Sequence, residues 1–397
     1  MNLAQCPYEY IPVVLGSNMN SLGTIRAFRS LGVGGIIVAE EDGVACYSKY
    51  AVKTFIQDDL VEGLEKAGAY LASIEKKGYL LATSDDYALR VTHLGSLPNF
   101  HIVNNNPETI QACLDKTGLY PLFDEIGVDY PRSRRVEEGK DLLDIHDLKF
   151  PLLVKPVVSI HFSDRFDKAT ILHEEEAVKN YVERLKEAGL DRRALVAQEY
   201  IPGSEQNLIY YFAYVKKGET IREVASRKIR QYPPNAGTTT AGLYEDIPGV
   251  CPAAQKINRA LAFDGLHGME FKYDPRDGKY YFLDSNPRTY LDISALEPTG
   301  VNVLQAAYLD FLGQPIDFIP KKVQKKVLWV KDHEDILRAL FFNRKKYPDF
   351  TLSYGQYKKT LQGTVVFAVK DADDPKPRRY LNRERMKTLV QKIFRRR

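Results

Sequence analysis

Short apolar runs alternate with stretches of helical spacing through the first hundred positions. Residues 10–15 (YIPVVL) form a run of the length of a buried strand, closed by Gly16. Residues 21–31 (SLGTIRAFRSL) carry apolar side chains at helical spacing. Residues 35–39 (GIIVA) predict a second strand and 60–77 a long amphipathic helix. Residues 79–82 (YLLA) predict a third strand, running into the acidic Ser84-Asp85-Asp86. Strands separated by helices in this rhythm predict a parallel, doubly wound α/β sheet.

Beyond it, residues 104–118 read as a capped helix start with Pro107 in the first turn, and a helical link continues to Gly127. Residues 150–154 and 195–201 predict strands, with an amphipathic helix over 174–188 between them. From Ile209 the pattern changes. Residues 210–216, 220–229, 268–273 and 280–284 predict strands joined by polar turns, which is an antiparallel sheet. The expected class is α/β grading into α+β. The expected units are a Rossmann-like N-terminal domain (1–105), linker helices with a small subdomain (106–205), a large antiparallel subdomain (206–320) and a basic C-terminal extension (321–397).

The chain has 397 residues, 44% hydrophobic and 27% charged, a balance that excludes a disordered chain, a collagen-like chain and a coiled coil. Cys6, Cys46, Cys113 and Cys251 are scattered with no CxxC pair, which predicts free thiols rather than a zinc knuckle or a disulfide framework. No apolar run nears the roughly 20 residues of a membrane span, and residues 1–10 lack the order of a secretion signal, so a cytoplasmic protein is expected. The net charge of +4 gathers toward the C-terminus (Arg378, Arg379, Arg383, Arg385, Arg395 to Arg397). It is too small an excess to argue for nucleic acid, and a solvated basic helix accounts for the tail.

Four segments carry candidate chemistry. In 268–288 (GMEFKYDPRDGKYYFLDSNPR) two strands flank the turn 274–278. The pattern puts Glu270 on the first strand and Asp284 on the second, with Asn286 on the same face as Asp284, so that the three converge if the strands pair across the turn. Three hard oxygen ligands suit Mg²⁺, and Arg288 adds a cationic fork for a transferring phosphoryl group. A solvated hairpin of alternating charge is the structural alternative, but the Asn-Pro-Arg at its end favours function. In 150–156 (FPLLVKP) Lys155 closes an apolar strand, where a nucleotide phosphate would offset its burial; a snorkelling lysine accounts for it as well. In 198–205 (QEYIPGSE) a strand turns at Pro-Gly, and its end groups can read an adenine edge while Glu205 binds ribose hydroxyls. Taken alone, an edge strand with a turn is the simpler account. In 226–240 (SRKIRQYPPNAGTTT) Arg227, Lys228 and Arg230 lead into a polar loop, which suits an anionic substrate and an exposed basic strand equally. No Walker loop, dinucleotide fingerprint, HExxH or GxSxG occurs. His161 and His267 read as packing residues.

Taken in order, these motifs resemble the ATP-grasp superfamily of carboxylate–amine ligases over essentially the whole chain, most clearly over 10–320. The opening YIPVVLGSNMNSLGTIRAF and the stretch SRKIRQYPPNAGTTT look like the D-aspartate ligase branch. Its members activate D-aspartate as an acyl phosphate and join it to the lysine side chain of a peptidoglycan precursor. The resemblance implies ATP and Mg²⁺, or Mn²⁺ in its place, as cofactors. It implies an amino acid and an amine acceptor, such as a muropeptide precursor, as partners. It implies Lys116 (in LDKTG) and Lys155 as phosphate-binding lysines, Gln198, Glu199 and Ile201 as the adenine hinge, and Glu205 as the ribose ligand. Glu270, Asp284 and Asn286 would hold the metal, and Arg288 would stabilise the acyl phosphate and tetrahedral intermediate. Arg227 and Lys228 are expected to help bind the carboxylate. The N-terminal domain is expected to help hold amino-acid substrates with Gly16, Ser17 and Asn18.

Two departures stand out. Asp284 replaces the family's usual Glu. Residues 159–169 (SIHFSDRFDKA) lack the glycines of the usual phosphate-covering loop, which assigns loop closure to Lys168 or Arg165. Lids are expected at 159–169 and 233–240. The oligomeric state is left open, a homodimer included. Rival readings are a ligase for another amino acid or peptide in natural-product assembly, and a nucleotide-binding module without catalysis.

Overall fold

A computed structural model describes residues 2–95, 97–104, 106–115, 117–157, 169–234 and 237–394. The first sheet is parallel and has the order β3-β2-β1-β4-β5. Its strands are β1 (Tyr10–Leu15), β2 (Gly35–Ala39), β3 (Ala51–Ile56), β4 (Lys77–Leu81) and β5 (Phe100–Ile102). Strands β1 and β2 are apolar because both faces are covered. On one face Val13, Leu15, Ile36 and Val38 pack with Leu60, Leu64, Ala67 and Leu71 of α2 (Leu60–Ser73). On the other, Val14, Ile37 and Leu81 join a core that includes α1 (Met19–Arg26), the helix Val303–Phe311, and Phe212, Tyr214 and Tyr244 of the largest sheet. That shared core seats the N-terminal unit on the rest of the protein. The predicted helix over 60–77 stops at Ser73, because Glu75 adopts φ 55° and the chain turns at once into β4. A helix α3 (Asp85–His93) follows β4, capped by Ser84.

The second sheet is antiparallel, in the order β6-β9-β7-β8: β6 (Ser133–Val136), β7 (Leu152–Pro156), β8 (Thr170–Leu172) and β9 (Leu195–Glu199). Leu152, Val154, Leu195 and Ala197 face the helix Glu175–Glu187 in a small core of their own. The period of two therefore turns Leu153, Lys155, Val196 and Gln198 to the opposite face, Leu153 directly beside Gln198.

The third sheet has seven strands, β14-β13-β10-β11-β12-β15-β16. They are β10 (Leu208–Lys216), β11 (Glu219–Tyr232), β12 (Thr238–Glu245), β13 (Gly265–Asp274), β14 (Lys279–Asn286), β15 (Val327–Val330) and β16 (Thr364–Phe367). Residues 238–240, expected in a loop, open β12. Residues after 320 do more than trail: they supply the two strands at one edge. Among the described residues, no helix is long and apolar enough to cross a membrane.

Candidate active site

Register across the large sheet builds the floor of the site. Ser226 pairs with Tyr210, Tyr210 with Glu270, and Glu270 with Asp284, a single row across four strands. Directly paired residues of antiparallel strands share a face, so the two carboxylates stand side by side. Asn286, opposite Gly268, is next on that face. Farther along the strands this face carries Phe212, Tyr214 and Tyr244, roofed by the helix Val303–Phe311. At the Glu270 end it opens into a cleft of about 360 Å³. The cleft walls include Lys155 and Gln198 from the second sheet, Lys228 and Gln231 from β11, Glu270, Asp284, Asn286, Arg288 and Asp292, and Asp85 from α3.

A bulge joins the two sheets. Phe271 pairs with Phe282 while Glu270 pairs with Asp284, which leaves Leu283 outside the ladder. Lys155 Nζ donates to the Leu283 carbonyl at 3.1 Å. The lysine that ends an apolar strand is therefore 9% exposed and spans from one wall to the floor. A second irregularity, between Lys228 and Arg230 and again before Gln231, lets both Lys228 and Gln231 line the cleft. Lys228 Nζ donates to Gln231 Oε1 at 3.3 Å, and the Gln231 amide N–H donates to Glu205 Oε2 at 3.3 Å.

Arg288 is tied at three points: Nε to Asp85 Oδ1 at 2.6 Å, Nη2 to Asn286 Oδ1 at 2.7 Å and Nη1 to the Thr289 carbonyl at 3.0 Å. Burial works against its charge, but Asp85 outweighs that and holds the guanidinium protonated more firmly than usual. Asp85 comes from the N-terminal unit, so the fork is aimed by two parts of the chain.

The sequence expectations separate at this point. Lys155, Gln198, Lys228, Glu270, Asp284, Asn286 and Arg288 converge on one cleft. Arg227 does not join them. It pairs with Ile209 on the opposite face, where its Nε donates to Glu245 Oε1 at 3.0 Å and Nη1 to the Gln206 carbonyl at 2.8 Å. Arg230 is also turned to a structural partner, Asp335, at 2.6 to 3.1 Å. Glu199 turns its carboxylate to the Lys149 amide at 3.0 Å, and Ile201 is buried. Glu205 sits one residue behind the wall, through Gln231. Lys116, Lys168, Arg165 and His161 lie outside the described residues, as do positions 235 and 236 of the second expected lid. His267 is a core residue as expected. It is fully buried, bonded to Asn258 Oδ1 and Ser285 Oγ at 2.8 Å each, and burial pushes its ring down to about 3.

Two residues of the site, and Lys272 beside it, carry little signal in the sequence. Asp85 reads only as part of an acidic stretch. Asp292 lies in a loop with no periodicity to mark its direction. Lys272 is 6% exposed and its ammonium lies 4.4 Å from the Tyr200 ring centre; burial, with Lys228 nearby, pushes it down to about 8. Its signal was its place two residues after Glu270 on the same strand.

The cleft fits a magnesium nucleotide. Among the described residues no cluster of three His, Cys, Asp or Glu side chains forms a metal site. The oxygen set here is two paired carboxylates and one amide, which suits a hard cation that keeps waters and bridges phosphates. Gln198 Oε1, Gln231 Nε2 and Asn286 Nδ2 are buried on the cleft walls and meet no partner among the described residues. Polar atoms left this way imply a polar ligand.

No family model matches the chain. In sequence it is similar to the D-aspartate ligase of Enterococcus faecium (strain Aus0004), 23% identical over 393 residues and 91% of each chain. In fold it is similar to an L-amino acid ligase from Bacillus licheniformis, with TM-score 0.60 and 13% identity over 80% of this chain and 79% of that one. It is similar too to the biotin carboxylase domain of Hydrogenobacter thermophilus 2-oxoglutarate carboxylase, a structure holding MgADP and bicarbonate. There the TM-score is 0.59 and the identity 14%, over 80% of this chain and 73% of that one. The chain is thus similar in sequence to a D-aspartate ligase along nearly its whole length, and it shares the fold of the L-amino acid ligase and of the biotin carboxylase domain.

Proposed function

We propose that the protein activates D-aspartate with ATP as an acyl phosphate and joins it to the lysine side chain of a peptidoglycan precursor. The chemistry rests on one observation above all: the Glu270–Asp284 pair lies on the floor of a cleft whose walls carry Lys155 and Arg288. The choice of D-aspartate is supported by the match to D-aspartate ligase along 91% of both chains.

In this reading Gln198 and the backbone at Glu199 to Ile201 receive the adenine, and Glu205 the ribose. Lys155 and Lys228 neutralise phosphate oxygens. Glu270, Asp284 and Asn286 hold Mg²⁺, which would offset the charge shared between neighbouring phosphates when bound. Arg288 leaves Asp85 for the phosphoryl group as it moves to the substrate carboxylate, and then faces the oxyanion formed by amine attack. Lys116 is proposed as a second phosphate-binding lysine, and Lys168 or Arg165 as the cation of the phosphate-covering loop. Catalysis is mostly positioning and electrostatics, and no covalent enzyme intermediate is required.

A second reading, a ligase for another amino acid, is favoured by the shared fold of the L-amino acid ligase. Trapping the acyl phosphate with hydroxylamine across a panel of amino acids separates the two. Hydroxamate from D-aspartate supports the first. Hydroxamate from a different amino acid alone replaces it with the second.

A further inference from the structure

Beside Glu270 the cleft leads into a recess of about 10 Å³, room for a group the size of one water, lined by Tyr210, Ser226, Lys228, Thr239, Gly242 and Asp292. Its one carboxylate besides Glu270 is Asp292, which is 5% exposed. Ser226 Oγ lies 3.4 Å from Asp292 Oδ2, at the long limit of a hydrogen bond. No described cation comes within ion-pair distance of Asp292, and the nearby Lys228 ammonium is directed at Gln231. Gly242 leaves the space: a Cβ there would stand 3.2 Å from Asp292 Oδ2. The groups facing the carboxyl are Lys228 from β11, Tyr244 from β12, Tyr210 from β10 and Tyr290 from its own segment. Tyr244 and Tyr290 are bonded to each other at 2.9 Å. Burial pushes the Asp292 carboxyl up to about 7. A buried carboxylate held so loosely is costly unless a cation from outside completes it.

We propose that Asp292 binds the ammonium of the incoming amine in this recess and takes its proton as the amide bond forms. The inference rests on the ligase reading above. One proton passes from the ammonium to the Asp292 carboxylate. The freed nitrogen lone pair attacks the acyl carbon, the carbon–oxygen bond to phosphate breaks with its electron pair on phosphate, and the second amine proton leaves with that phosphate. Hydrogen phosphate and a neutral amide result.

The test compares two nucleophiles on the same acyl phosphate, formed from D-aspartate and MgATP. Hydroxylamine is largely uncharged at neutral pH and needs no base. The lysine amine of a muropeptide precursor is protonated and does. In Asp292→Asn, hydroxamate is expected to persist while amide formation at pH 7 falls about 100-fold or more. Equal loss of both products, or equal retention of both, overturns the proposal. Should the variant not fold, the wild type decides. With the free-base hydroxylamine concentration held constant across the series, amide formation rises with pH through an inflection near neutrality that hydroxamate formation lacks, and superimposable profiles overturn the assignment. Absence of hydroxamate from the wild type removes the ligase reading itself, and the proposal with it.

Discussion

Replacing Arg288 by lysine keeps a positive charge at the floor of the cleft and removes its geometry. The guanidinium reaches Asp85, Asn286 and the Thr289 carbonyl at once, at 2.6, 2.7 and 3.0 Å. An ammonium on a shorter stem cannot hold three such directions, and hydrogen bonds to a charged group contribute about 1.5–3 kcal/mol each. Loss of one preorganised donor to a developing oxyanion costs about 2.7–4 kcal/mol, or 10²–10³ in kcat. Arg288→Lys is therefore expected to lower hydroxamate formation by about 10²–10³-fold. The Kd for ADP should change little, because Lys155, Gln198 and Lys228 are untouched. Hydroxamate trapping reports the first quantity and calorimetric titration with MgADP the second. Activity within about threefold of wild type would refute the role given to the fork. Parallel loss of ADP binding would show that the fork serves nucleotide binding instead.

Lys155→Met removes the cation that spans the two sheets, and is expected to raise the Kd for ADP about 10-fold or more in the same titration. Asp335→Asn leaves Arg230, whose side chain is 12% exposed, without its bidentate partner; breaking such a buried pair costs about 3–5 kcal/mol, measured by denaturant unfolding. His267 gives a pH signature. Above about pH 6.5 both folded and unfolded chains hold it neutral. Below that the unfolded chain takes the proton and the folded chain, with its ring pushed down to about 3, does not. Stability should thus fall by about 1.4 kcal/mol per pH unit between 6.5 and 3, and His267→Asn, if it folds, should lessen that slope.

Much of the site was legible because strands repeat every two residues. The turn Asp274 to Gly278 marks a hairpin and the period puts Asp284 and Asn286 on one face, but the bulge at Leu283 is what sets Glu270 against Asp284; unbroken pairing would have faced Glu270 with Leu283. The same period aims Lys155 and Gln198 at the cleft once Leu152, Val154 and Ala197 are committed to a core. What was not legible follows from the same rule. Arg227 and Lys228 are adjacent, so one had to point away, and only the register with β10 says which. Gln231 lines the cleft because of irregularities in the pairing that no residue type announces. Asp85 and Asp292 gain their roles from contacts with distant segments. The helix over 60–77 ended early because Glu75 takes a left-handed conformation without the glycine that would have signalled it. The C-terminal residues carried no motif, yet β15 and β16 complete the large sheet and Asp335 fastens β11 through Arg230.

The most direct test of the account is phosphate release from MgATP with D-aspartate or L-aspartate, each with and without a lysine-containing muropeptide precursor. The account predicts release that requires D-aspartate and precursor together, with one amide formed per phosphate. Release with another amino acid would keep the chemistry and contradict the substrate. No release with any pair, alongside measurable ATP binding, would contradict the ligase itself.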